Sequence, residues 1–183
     1  MAPVAHEFLT IVALAGRICL GLIFIMAAAQ KFGHWRILSG VISNYRLLPR
    51  MLVAPAAALL PPLELALGLL LLLGLAQGRA VLGTSLLLAV FAAAMAINLR
   101  RGRVHIDCGC GQSFLAQSLS RALVVRNAAL VALLLPSLAV TGPLTMSAAL
   151  TGAGAGLAFL LLYLLFNTIS VLPRPEALGH RFA

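Results

Sequence analysis

Long apolar blocks alternate with short polar connections along the chain. Runs almost free of charge occupy 9–29, 52–76, 80–99, 122–140 and 146–172; Arg17, Glu64 and Arg126 are the charges that interrupt the first, second and fourth. Each block has about the ~20 residues a helix needs to cross a hydrocarbon core. Backbone groups in lipid must be satisfied within the segment, so the blocks read as helices and not as strands of an open sheet. The pattern predicts an all-α polytopic membrane bundle of five transmembrane helices, a single domain over 1–183. The connections at 77–79 and 141–145 are short, which predicts antiparallel hairpins for the second and third blocks and for the fourth and fifth.

The two long connections, 30–51 and 100–121, hold most of the polar residues. In the first, Lys31, His34, Trp35, Arg36, Tyr45, Arg46 and Arg50 alternate with Phe32, Ile37, Leu38, Val41 and Ile42. Aromatic and basic groups mixed in this way suit a short interfacial helix at headgroup level, whose ordinary use is to anchor the bundle.

Composition strengthens the membrane reading. Of 183 residues 62% are hydrophobic and 9% charged, against roughly 25% charged in a soluble domain. The 13 Lys and Arg outnumber the 4 Asp and Glu, and they are unevenly placed. Five spans put both long connections and the C-terminus on one side, with Lys31, Arg36, Arg46, Arg50, Arg100, Arg101, Arg103, Arg121, Arg174 and Arg181; the other side has little beyond Arg79. The positive-inside rule makes that basic side cytoplasmic and the N-terminus external. The charge is then a signal for topology and for contact with the lipid bilayer, and no nucleic-acid partner is expected. The first block carries Arg17 and lacks a basic stretch before it, so it is read as a mature helix and not as a cleaved leader.

The second long connection contains His105-Ile106-Asp107-Cys108-Gly109-Cys110-Gly111. Cys108 and Cys110, separated by one glycine, can close a small strained disulfide; Gly109 and Gly111 remove the Cβ atoms that would resist the turn. Strained, exposed disulfides are the ones that exchange. Arg100, Arg101 and Arg103 favour the attacking thiolate, while Asp107 opposes that effect and can handle protons. Reversible dithiol chemistry is the favoured reading, with two others beside it. His105, Cys108 and Cys110 are soft ligands for copper or zinc, but three at this spacing fall short of a closed tetrahedral site, and no metal is assigned. A purely structural bridge would constrain only a tiny loop and add little stability.

Cys19, in the first block, is read as a small packing residue; the sharper alternative makes it a relay that accepts the disulfide from the loop. Charges inside a bilayer need partners, and Arg17 with Glu64 is the expected pair. A functional alternative has Glu64 handling a proton or facing a quinone headgroup. Arg126 and Asn127 are placed to polarise the dithiol from the helix side. Gly152 and Gly156 form a small-residue face for close helix packing.

Taken together these residues resemble the MauE family of methylamine utilisation proteins, within the wider DoxX-like membrane proteins. The resemblance rests on Asp107-Cys108-Gly109-Cys110-Gly111 followed by Ser120, Leu123 and Arg126-Asn127, and on Arg17 with Gly21, Lys31, Tyr45-Arg46-Leu47-Leu48-Pro49, and Pro62 with Glu64 and Gly68. It covers about 17–140 and departs from the family pattern at Gly111, where an aromatic residue is usual. It implies help in maturing the disulfide-rich small subunit of periplasmic methylamine dehydrogenase, as an indirect client, through a thioredoxin-like partner of the MauD type. It also implies that Cys108 and Cys110 are the catalytic pair of a membrane thiol-disulfide redox protein. A non-redox membrane anchor or assembly factor is the alternative.

Overall fold

The computed structural model describes residues 2–104, 106, 119–140 and 145–171. His105, Asp107, Cys108 and Cys110 lie outside the described residues. The described chain is helical: α1 (Ala2–Phe32), α2 (Trp35–Tyr45), α3 (Arg50–Leu73), α4 (Gln77–Arg100), α5 (Arg121–Leu134, extended by a tighter turn over Leu135–Leu138) and α6 (Met146–Val171). Five segments are long and apolar enough to span a membrane, at Ala5–Phe32, Arg50–Leu73, Gln77–Arg100, Arg121–Leu138 and Met146–Ser170. They match the five predicted blocks. The remaining helix, α2, is the short one expected after the first span.

The central element is α1, against which α3 and α6 both lie. Its register with α3 is antiparallel, since Arg17 meets Leu71 and Gly21 meets Gly68. The Gly21–Gly68 crossing needs both glycines: a Cβ at Gly68 would stand 2.9 Å from the Gly21 carbonyl oxygen, and one at Gly21 would stand 3.1 Å from that of Gly68. With α6 the register is parallel, because Gly152 packs on Leu14 and Gly156 on Ala15 and Ile18. Gly152 and Gly156 thus form the small-residue face that was expected, while Gly154 points into open space. Parallel α1 and α6 are what an odd number of spans requires.

The third and fourth spans, α4 and α5, pack closely across the second long connection. Met95 shares a cluster with Leu123, and Leu88 shares another with Leu130, which fixes an antiparallel register. The fourth and fifth spans depart from the expected hairpin, because α6 packs along α1 and meets α5 chiefly through side chains. Glycines on α6 let its backbone approach α1, whereas its contact with α5 is made further along the helix, by the long Arg126 side chain reaching Asn167. Leu59, Leu86, Leu157, Leu161 and Leu165 point outward, the apolar exterior a bilayer requires.

Candidate functional site

These registers gather the chemistry at one end of the bundle. The C-terminal ends of α1, α4 and α6 and the N-terminal ends of α3 and α5 share that end, and Ile106 and Leu119 flank the 107–118 segment there. The segment's base is closed by backbone: the Leu119 N–H donates to the carbonyls of Val104 (3.1 Å) and Ile106 (3.2 Å). Leu119 is buried with Tyr45, Met95 and Leu123, and Val41, Ile106 and Phe166 pack around them. The short helix α2 therefore covers the base of the cysteine segment. Arg36, Arg46, Arg50, Arg100, Arg101 and Arg121 are exposed around this end.

Beside this apolar plug lies a polar layer. Lys31 at the end of α1 forms an ion pair with Glu64 of α3, and the Lys31 ammonium also stands 5.7 Å from the centre of the Phe91 ring on α4. The Glu64 side chain is 2% exposed and that of Lys31 10%. The α4–α5 register sets Phe91 level with Asn127. Next to Asn127, the Arg126 guanidinium donates to the side-chain oxygen of Asn167 on α6 and, at 3.4 Å, to that of Asn127. It also lies 5.1 Å from the centre of the Tyr163 ring, a contact worth about 0.5–2 kcal/mol as it is desolvated. Asn98, fully buried near the end of α4, donates to its own helix at the Ala94 carbonyl, 3.1 Å away. All four long helices and α5 thus send a polar or aromatic group to this part of the bundle.

The layer is not self-satisfied. Among the described residues, Glu64 Oε2, Asn98 Oδ1, Arg126 Nε, Asn127 Nδ2 and Asn167 Nδ2 are buried without a hydrogen-bond partner. Arg126 has no carboxylate opposite it among the described residues; its positive charge is held by two amide oxygens and a ring.

Several expectations meet the structure here. Glu64 does have a cation partner, but it is Lys31, not Arg17. Arg17 lies about 20 Å from Lys31 along α1 and reaches the far end of α3, where its Nε and NH2 groups each donate to the Leu71 carbonyl at 3.2 Å. The reason is the antiparallel register: the turn of α3 that faces Arg17 is the last one, where the Leu71 carbonyl accepts a long 3.4 Å bond from the capping Gly74 N–H, has a lone pair to spare and carries the negative end of the helix dipole. Gly74, at φ 70°, ends α3 there. Cys19 is buried with Leu20, Ile23, Leu71 and Leu134 in the apolar core, as a packing residue would be. Sequence reasoning missed Asn98 and Asn167. A signal existed: asparagines inside the apolar blocks occur at 98, 127 and 167, all toward the same end of the bundle.

Residues 9–142 match the family described as Methylamine utilisation protein MauE. This chain belongs to the MauE family. It is 42% identical over 152 residues to Methylamine utilization protein MauE of Paracoccus denitrificans, covering 81% of each chain. Identity to the MauE of Methylorubrum extorquens is 39% over 148 residues, 78% of each chain, and to that of Paracoccus versutus 36% over 160 residues, 84% of each chain. No solved structure matches the chain. For this MauE-family protein, the match takes in α1–α5, the cysteine segment and most of the polar layer; α6, with Asn167 and Tyr163, lies beyond it.

Proposed function

We propose that the protein is a membrane thiol-disulfide exchanger of the methylamine utilisation system, in which Cys108 and Cys110 trade a disulfide with a thioredoxin-fold partner of the MauD type. The client reached through that partner is the disulfide-rich small subunit of methylamine dehydrogenase. In the oxidising direction, a partner thiolate attacks one sulfur of the Cys108–Cys110 disulfide; a mixed disulfide forms and the other loop cysteine leaves as thiolate. The partner's second thiolate then attacks the mixed disulfide. The partner ends as a disulfide, and Cys108 and Cys110 end as the reduced pair, having taken two electrons. The reverse sequence transfers electrons to the partner by the same bonds.

One observation carries this reading: a Cys-Gly-Cys pair in a segment whose base is closed by Leu119 on Val104 and Ile106, at the same end of the bundle as a buried polar layer. The family's name, Methylamine utilisation protein MauE, supports the biological setting. The exposed arginines around this end argue for a cytoplasmic face, whereas a periplasmic client argues for the opposite one. An impermeant thiol reagent decides this: labelling of the reduced pair in intact cells puts it outside, and labelling only after the inner membrane is permeabilised puts it inside.

The test of function is Cys108→Ser and Cys110→Ser, each assayed for assembled methylamine dehydrogenase. The exchanger reading expects unassembled small subunit with incomplete disulfides in both variants. Normal assembly in both would leave the protein a non-redox anchor or assembly factor.

A further inference from the structure

We propose that the polar layer binds the headgroup of an isoprenoid quinone, with Arg126, Asn127 and Asn167 donating to it and Glu64 and Asn98 accepting from it, and that this quinone takes the electrons of the cysteine pair. The second half rests on the exchanger reading; the binding site does not. The unpartnered atoms are three donors, Arg126 Nε, Asn127 Nδ2 and Asn167 Nδ2, and two acceptors, Glu64 Oε2 and Asn98 Oδ1, counted among the described residues. Their residues are 9%, 2%, 5%, 2% and 0% exposed. Polar groups stranded inside a membrane span cost several kcal/mol each unless something pairs with them.

The mixture of unpartnered groups selects the ligand. A lipid phosphate offers acceptors only and would leave Glu64 Oε2 and Asn98 Oδ1 unpaired. A quinone accepts through its carbonyl oxygens, and its reduced form donates two O–H groups while its oxygens still accept, so the quinol answers both sets at once, which a phosphate diester does not. Phe91 and Tyr163 supply aromatic rings at the same level. α6 lies along α1 and meets α5 chiefly through Arg126, Asn167 and Tyr163, so a lipid-soluble ring would reach the layer by parting these side chains between α5 and α6. The reaction balances without another reactant. Two thiols and one quinone give one disulfide and one quinol; the two S–H bonds break, an S–S bond forms, and two electrons and two protons end on the quinone oxygens.

The experiment uses the full-length protein in nanodiscs of zwitterionic lipid, titrated calorimetrically with a short-chain ubiquinone, while quinone reduction is followed by ultraviolet absorbance. Saturable binding is expected, weakened at least about tenfold by Arg126→Lys, which keeps the charge but loses the Nε donor, and by Asn167→Leu, as for loss of a buried charge-assisted hydrogen bond. Thermal unfolding confirms that both variants are folded. Cys108→Ser and Cys110→Ser should bind as the unaltered protein does and reduce no quinone. Absence of saturable binding, equal affinity in the folded layer variants, or displacement by added phosphatidylglycerol would overturn the site. Tight binding with no quinone reduction by the reduced, unaltered protein would overturn the electron-transfer half alone.

Discussion

The two ends of the bundle treat polar groups differently. At the end away from the cysteines, buried and half-buried side chains bond to backbone carbonyls of other helices: Arg17 to Leu71, Ser137 to Ala13 at 3.0 Å, and Gln77 to Ser137 and Val140 at 2.8 and 3.2 Å. These contacts tie α1 to α3, α1 to the end of α5, and α4 to the end of α5. Thr84 and Ser85 on α4 are exceptions, with hydroxyls unpartnered among the described residues, and a hydroxyl rotates to its own helix's carbonyl at little cost. At the cysteine end, polar side chains bond mainly to one another and leave donors and acceptors over. Backbone carbonyls are fixed acceptors that make good struts. Side chains with atoms to spare are what a binding site needs.

The largest effect that would sharpen this contrast is loss of one member of the buried ion pair. Lys31→Met strands the Glu64 carboxylate, and breaking such a pair costs about 3–5 kcal/mol. Thermal unfolding should show a severe loss, and the double variant Lys31→Met/Glu64→Leu should recover much of it; no recovery would mean the two do not act as a pair. Gly68→Val attacks the other kind of packing, because its Cβ meets the Gly21 carbonyl and Ile25. Overpacking there should cost about 1–3 kcal/mol, with thiol exchange unchanged in whatever protein remains folded.

Asn167→Leu separates stability from function most clearly. Interhelical hydrogen bonds in membranes are worth about 0.6–1.7 kcal/mol, so unfolding should shift little while client assembly falls sharply. A large unfolding shift with assembly intact would make the cysteine end merely structural. The smallest effect belongs to Gly154→Leu: no atom lies within 4 Å of its Cβ position, so unfolding and assembly should both stay at their normal values.

Much of the fold was legible because lipid imposes one rule on the backbone. The absence of charge over about 20 residues located each span, and the polar interruptions marked residues that matter. Partners were harder to read, because pairing depends on register. Arg17 and Glu64 are opposite charges in neighbouring spans, yet the Gly21–Gly68 crossing sets them two turns apart, and Lys31 reaches Glu64 by its long stem. Asn98 and Asn167 look unremarkable in sequence; they become part of a layer only when α4 and α6 fall into register with α5. The cysteine pair was the clearest chemical signal in the chain, and its identity as a dithiol site rests on sequence.

That claim is tested most directly by trapping. Cys108→Ser and Cys110→Ser are expressed separately with a tagged thioredoxin-like partner and quenched with acid and alkylating reagent, and complexes are resolved without reductant. The exchanger account predicts that at least one variant accumulates a mixed disulfide that reductant dissolves and that vanishes when both cysteines are replaced. No such complex with any thioredoxin-like partner of the methylamine system, with both proteins present and folded, would contradict it.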